Sequence, residues 1–468
     1  MSNKINFSVQ NNDYASIFIF NYIFFIIGVK SEFIEYSDTN YSDINIIYGR
    51  KKPNNFNGIF ILEKETERFD INVIKKAATN FSKEINIDII KLIDNFLCDT
   101  VNNNKSNNDF DSHDRLKFES SFQYINNLSK QPLVNIIIGL FEKIIEEFFK
   151  IDRLPLWPNQ KKCVIILSHD VDAPIKYAHL FNYKLYPNIS GSFIKHYYHF
   201  LKISKDYILD KNKCNYWLFD EIIKCEKSFG FKSTFFFSVI NNKDKGANFV
   251  DVDYRVTKER FRNLFCKINK ENFEIGLHAS YNAYQQEENF IKEKSILENN
   301  CDSEVIGLRH HYWHLGKDYR RTLKYHNNAG FQYDSSIAFN DHLGFRNNIA
   351  FPYPIYYKEE NIFLKLIEIP TFCMDGHIFY NNISKEKGFH EIISMIQSIK
   401  NNQGIGAFDW HVRTSYPGNK EYKDQGELYL EILKWLSNDN EIWVTNYLDV
   451  INWLKTRKER LQISNKFS

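Results

Sequence analysis

The chain runs to 468 residues, 43% hydrophobic, 25% charged and 16% aromatic, a composition that can bury a large core and excludes a disordered polar polymer. Its 60 basic and 58 acidic residues leave a net charge of +2, which excludes the one-sided field that draws a protein to nucleic acid or to an anionic membrane. Seven cysteines without a CxxC pair argue for free thiols in a reducing compartment and against a disulfide scaffold.

A length well above one average domain predicts two units. The first is a small N-terminal α/β domain over residues 1–150, of unknown role, and the second covers residues 151–458. Residues 17–29 (IFIFNYIFFIIGV) are the most apolar run. They fall short of the roughly 20 apolar residues of a membrane span and lack the flanks of a secretory signal. They read as a buried helix in a cytoplasmic protein. Residues 44–48 (INIIY) and 58–62 (GIFIL) read as strands. Residues 101–113 (VNNNKSNNDFDSH) offer almost nothing to bury and read as a linker or long loop. Residues 133–150 repeat apolar positions at helical spacing and predict an amphipathic helix.

Beyond the proline-punctuated stretch 154–160 (LPLWPNQ), strand-like runs and helical stretches alternate for nearly the rest of the chain. The strands are expected at 164–167, 233–239, 273–277, 305–308, 366–369, 406–410 and 442–445, and helices at 216–229 and 428–436. Such alternation predicts a mostly parallel sheet, open or closed into a barrel.

Parallel α/β folds gather their active sites at the C-terminal ends of strands, and four such ends carry suggestive side chains. After 164–167 come Ser168-His169-Asp170-Val171-Asp172; in extended chain Asp170 and Asp172 share a face, and paired carboxylates repel unless a cation sits between them. The bland reading is a helix cap. His278, in Gly276-Leu277-His278-Ala279-Ser280, has the side chain of a common metal ligand. Arg309, in Gly307-Leu308-Arg309-His310-His311-Tyr312, suits two-pronged contact with a carboxylate such as Asp170. Asp409, His411 and Arg413 alternate along the last end, His411 being a candidate acid; the competing reading is a packing cluster around Trp410.

Taken together these segments resemble the polysaccharide deacetylases of the NodB-homology fold, a carbohydrate esterase type. The resemblance spans roughly residues 155–455 and is nearest to a bacterial branch with an additional N-terminal domain and an opening like LWPN…LSHDVD. It implies a distorted (β/α) barrel of the glycoside hydrolase/deacetylase type. It also implies a metal-dependent hydrolase, with a divalent ion such as zinc, that removes acetyl groups from a sugar or polysaccharide in surface-glycan metabolism.

By similarity Asp170 would be the base, Asp172 a metal ligand and Arg309 the residue orienting the base. His411 would be the acid, and Tyr312 would supply a backbone N–H for the oxyanion. The family's HSxxH motif meets HASYN here, with His278 first and Asn282 where the second histidine belongs. An amide binds a divalent ion more weakly than an imidazole, so the third ligand is Asn282, a histidine from another loop such as His311, or absent. Residues 333–336 (YDSS, with Asp334) and 344–347 (GFRN) are expected to line the mouth, with Trp313 and Trp410 as apolar faces for sugar rings. Two rival readings use the same residues. One is an inactive carbohydrate-binding protein of the same fold; the other is a glycoside hydrolase pairing Asp170 with Asp409 or Asp334.

Overall fold

In the computed structural model the described residues are 4–37, 41–65, 82–176, 216–241 and 250–462, with positions 201, 205 and 209. The N-terminal part is a parallel sheet of β1 (Ile5–Val9), β2 (Ser31–Phe33), β3 (Ile46–Gly49), β4 (Ile59–Leu62) and β5 (Glu84–Ile85), in the order β2-β1-β3-β4-β5. The apolar run forms the helix Tyr14–Ile27, started by Asp13, whose Oδ2 accepts from Ser16 N (2.9 Å), and closed by the left-handed Gly28. A helix apolar on all sides must be covered on all sides. It packs against the helices Ile89–Leu97 and Leu133–Phe148 and, beyond them, against the second sheet. There Phe18 stacks on Phe363 at 3.7 Å between ring centres, and Tyr22 donates to the Pro352 carbonyl (3.2 Å). Among the described residues no helix is long and apolar enough to cross a membrane.

The second sheet contains β6 (Cys163–Val171), β7 (Ser233–Phe237), β8 (Glu274–Ala279), β9 (Gly307–His310), β10 (Tyr333–Asp334), β11 (Tyr353–Tyr357), β12 (Ile362–Glu368), β13 (Thr371–Met374), β14 (Ile405–Asp409) and β15 (Ile442–Thr445). Its order is β11-β12-β10-β9-β8-β7-β6-β14-β13, with β15 beside β6. All neighbours are parallel except β11 and β12. The two ends of this order are one piece of chain. β12 pairs with β10, the chain runs on through Ile369–Pro370, and β13 pairs with β14. Backbone bonds carry the ladder across this junction, from Ile369 N to the Asp334 carbonyl (3.0 Å) and from Ala407 N to the Pro370 carbonyl (3.0 Å). The result is a distorted (β/α) barrel preceded by a small α/β region, as expected.

The run β6 is buried at every position, as befits a strand covered on both faces. The final helix, Tyr447–Leu461, sends the fully buried Arg457 to the carbonyls of Phe25 (2.9 Å) and Ile26 (3.1 Å), the C-terminal end of the first helix, and to Leu154 (2.9 Å). A cation there offsets the unpaired carbonyls and the helix dipole.

Residues 101–113 form a long loop with two short 3-10 turns, anchored at Asn102. Asn102 is buried because its amide is fully used: its nitrogen donates to Asp99 (2.7 Å) and Gln123 (3.2 Å), and its oxygen accepts from Phe122 N (2.8 Å). The six described cysteines are all free, with Cys98 buried and Cys266 exposed.

Candidate active site

Alternation along β6 divides its end residues between two environments. His169 points out of the barrel, where its imidazole lies 2.8 Å from Glu226 and 2.8 Å from the Trp410 carbonyl. Ser168 and Asp170 point in and meet Arg309.

Arg309, from β9, is wholly buried and every arm of its fork is used. Nη1 donates to Asp170 Oδ1 (2.8 Å) and lies 3.2 Å from Asp409; Nη2 donates to Ser168 Oγ (2.9 Å) and Tyr447 (2.8 Å); Nε donates to the Ser335 carbonyl (3.2 Å). A buried cation so held fixes the carboxylate it pairs with. Burial, and then the charge of Asp170, push the Asp409 carboxyl up to about 7, so the guanidinium does not face two full negative charges at neutral pH.

Asp170 Oδ2 faces His278 Nε2 at 3.6 Å. Asp172, just beyond the strand, is surrounded by imidazoles. Its Oδ1 lies 3.2 Å from His278 Nε2 and 3.5 Å from His311 Nε2, and its Oδ2 lies 3.0 Å from His411 Nε2. Burial opposes ionisation of Asp172, but His411, His311 and His278 outweigh it and hold the carboxyl well below the usual range. Burial also works against a charged His278, and Asp170 and Asp172 overcome it, raising the imidazole to about 9.

Donor atoms of Asp172, His278 and His311 all lie within 4.8 Å of one another. Asp172 Oδ1 is buried without a hydrogen-bond partner, and His311 turns Nε2 towards it and Nδ1 towards Asp251 (3.8 Å). His278 Nδ1 is 3.0 Å from the Arg309 carbonyl, so the neutral ring would keep its proton there and turn the Nε2 lone pair to the group. Two imidazoles and a carboxylate meeting at an unsatisfied point are a donor set that fits a divalent transition-metal ion. Such an ion would displace the proton that His278 otherwise takes up beside these acids.

Across from this group stands a second device. His411 Nδ1 lies 3.0 Å from Asp375 Oδ1, and the same carboxylate accepts from His411 N (3.2 Å) and from Thr414 Oγ1. Burial would raise the Asp375 carboxyl, but His411 and Thr414 bring it down to about 2. Burial would likewise lower His411, and Asp375 and Asp172 hold it well above the usual histidine range. Asp375 was not anticipated. It follows the short strand β13 in Met374-Asp375-Gly376-His377, another carboxylate at a strand end.

No protein-family model matches the chain, and no curated protein matches it. Solved structures with a similar fold include two bacterial proteins assigned as polysaccharide deacetylases. One, from Mycobacterium smegmatis, is 16% identical, with 64% of this chain and 93% of the other covered and a TM-score of 0.42. The other, from Pseudomonas aeruginosa PAO1, is 12% identical, with 66% and 95% covered and a TM-score of 0.42. A third structure, Puue allantoinase, is 13% identical, with 65% and 94% covered and a TM-score of 0.43. The barrel assignment stands on the strand pairing itself.

Of the nine residues expected at the site, Asp170, Asp172, His278, Arg309 and His411 converge. Tyr312 stands at the rim, 41% exposed. Two expectations, Trp410 and Asp334, are corrected. Trp410 is fully buried: with Asp409 and His411 facing inward, alternation sends it outward, where it packs 5.3 Å from Tyr429 and donates to the Thr414 carbonyl (3.2 Å). It offers no face to a sugar.

Asp334 is sealed by the same geometry. Ser335 turns inward to Arg309 and Tyr447, whereas Asp334 turns outward, accepting from Ser336 N (2.7 Å) and facing His326 (3.1 Å). Asn282 opens the short turn Ala283–Gln285, where its carbonyl accepts from Gln285 N (3.2 Å), and the imidazole that joins Asp172 and His278 comes from His311. Trp313 is also buried, and residues 344–347 are drawn inward, with Arg346 pairing with Asp99 (3.2 Å).

Proposed function

We propose that the protein is a metal-dependent hydrolase that removes an acetyl group from a sugar or polysaccharide. The observation that carries this reading is the two-sided arrangement: Asp170, with one oxygen fixed by Arg309 and the other facing the Asp172–His278–His311 group, stands opposite the Asp375–His411 pair. Zinc suits the donors, and when bound at Asp172, His278 and His311 a divalent ion supplies a Lewis acid that polarises the acyl carbonyl and acidifies water.

The residues of the chain do the proton work. Asp170 takes a proton at Oδ2 from the attacking water while Arg309 keeps Oδ1 occupied, which fixes the direction of the free lone pair. The oxyanion side of the acyl group is met by the Tyr312 N–H at the rim. His411 gives the proton on Nε2 to the departing sugar nitrogen or oxygen, and Asp375 stabilises its charge through Nδ1. Water thus adds to the carbonyl carbon, the bond to the sugar breaks, acetate leaves, and the sugar carries away the proton from His411.

The arrangement weighs against the two rivals. Asp170 and Asp409 both approach Nη1 of Arg309, so no sugar ring fits between them as a pair of glycosidase carboxylates requires. With His311 at hand, the asparagine at position 282 is no sign of a lost metal site. The test is metal analysis of the purified protein with an acetate-release screen over N- and O-acetylated sugars. Chelation should abolish release and zinc restore it, and Asp170→Asn should release no acetate while keeping the wild-type circular dichroism. Full activity in Asp170→Asn, or no release by the zinc-loaded protein, would overturn the reading.

A further inference from the structure

One part of the mouth comes from outside the barrel. Phe110 and Leu116 form an antiparallel bridge, and Asp111 N donates to the Arg115 carbonyl (2.9 Å), so the chain between them folds back on itself. The Arg115 guanidinium is aimed by Asp111, to which Nε donates (2.8 Å) and Nη2 lies at 2.7 Å. Its remaining arm, Nη1, donates to the carbonyl of Tyr312 (2.8 Å). Beside it His113 Nδ1 lies 2.8 Å from the Tyr281 hydroxyl, and its ring centre lies 4.9 Å from that of Tyr312.

The segment so gripped is strained. Tyr312 and Trp313 both hold left-handed backbone, at φ 59° and 50°, a region that bulky residues occupy only at a cost and only where their surroundings over-determine it. His311, immediately before the strained pair, is a donor of the metal-binding group, and Tyr312 carries the N–H assigned to the oxyanion. Inside the turn the other ties are His314 N to the His311 carbonyl (3.2 Å) and Leu315 N to the Trp313 carbonyl (3.0 Å). Neither holds the Tyr312 carbonyl.

We propose that Arg115 is a positioning residue of the active site: by holding the Tyr312 carbonyl it keeps the 311–313 turn left-handed, so that the N-terminal part of the chain completes the catalytic mouth. The catalytic part of this claim rests on the hydrolase reading above; the clamp itself does not. A planar fork that binds Asp111 and Tyr312 at once is a task for arginine, since the compact ammonium of lysine cannot reproduce both contacts in fixed geometry. Without the clamp the turn relaxes towards ordinary backbone conformations, and the Tyr312 amide swings away from the acyl position.

The experiment compares full-length wild type, Arg115→Ala, Arg115→Lys and Asp111→Asn by two measurements. The first is hydrogen–deuterium exchange of peptides covering residues 311–315. The second is hydrolysis of 4-nitrophenyl acetate by the zinc-loaded proteins, with zinc content determined in each. In Arg115→Ala the amides of 311–315 should exchange at least about tenfold faster while the barrel strands keep their protection. Its kcat should fall about tenfold to a hundredfold at unchanged zinc content, as for loss of one charged hydrogen bond. Arg115→Lys should recover part of the rate, and Asp111→Asn should move both measurements in the same direction as Arg115→Ala but less far.

Unchanged exchange over 311–315 overturns the clamp, and faster exchange with unchanged kcat overturns its catalytic role. Should Arg115→Ala fail to fold, Arg115→Lys and Asp111→Asn decide by the same criteria. If the wild type itself hydrolyses nothing, the hydrolase reading fails, and the exchange result alone supports or sinks the clamp.

Discussion

Replacing Asp375 by asparagine keeps the shape of the side chain and removes the charge that holds His411. The magnitude follows from the carboxyl itself. A drop from 3.8 to about 2 on folding corresponds to about 2 kcal/mol of stability contributed by the ionised form. Because the folded value is the lower one, this contribution is fully present above pH 3.8 and disappears as the pH falls through about 2. Asp375→Asn should therefore unfold in urea about 2 kcal/mol less stable than wild type at pH 7, and the difference should shrink as the pH is lowered below 4.

Kinetics should follow. An imidazole deprived of its carboxylate loses its raised proton affinity, so the alkaline limb of the kcat profile should retreat to lower pH and kcat at neutral pH fall about tenfold to a hundredfold. A variant with wild-type stability at pH 7 and an unmoved alkaline limb would refute the claim that Asp375 charges and orients His411.

Three further outcomes are expected. His311→Ala should lose tightly held zinc while Asn282→Ala keeps it, as read by metal analysis after gel filtration; the reverse result would return the ligand role to Asn282. Arg309→Met should destabilise the protein by about 3–5 kcal/mol in urea unfolding, since Asp170 would be left buried without its partner. Trp410→Ala should cost about 3–5 kcal/mol through the cavity it leaves between β14 and the helix Lys423–Ser437, with KM little changed; a large rise in KM at unchanged stability would restore Trp410 to the substrate site.

The barrel was legible because its strands are short apolar runs followed by chemistry-bearing side chains, and Asp170, Asp172, His278, Arg309 and His411 each stand where such a run ends. The misplacements share one cause. A motif identifies a stretch, but alternation decides which members of it enter the barrel, and Trp410 and Asp334 lie one residue from the inward side chains His411 and Ser335. Asp375 has no such signal: β13 is four residues long and begins directly after Pro370, so the sequence pattern marks no strand end there. The contribution of residues 110–116 had no local signature. Polar, Asn-rich composition reads as solvated chain, and nothing short of tertiary contact reveals that Arg115 reaches a carbonyl nearly two hundred positions away.

The two-residue junction at Ile369–Pro370 has a consequence for how this protein tolerates insertions and deletions. Residues 362–374 serve two ladders in succession, so the count of residues between them acts as a ruler. One residue gained or lost at this junction would leave β12 seated on β10 but invert the faces of β13 and carry Asp375 out of reach of His411. The barrel would still close, but with His411 deprived of the carboxylate at its Nδ1.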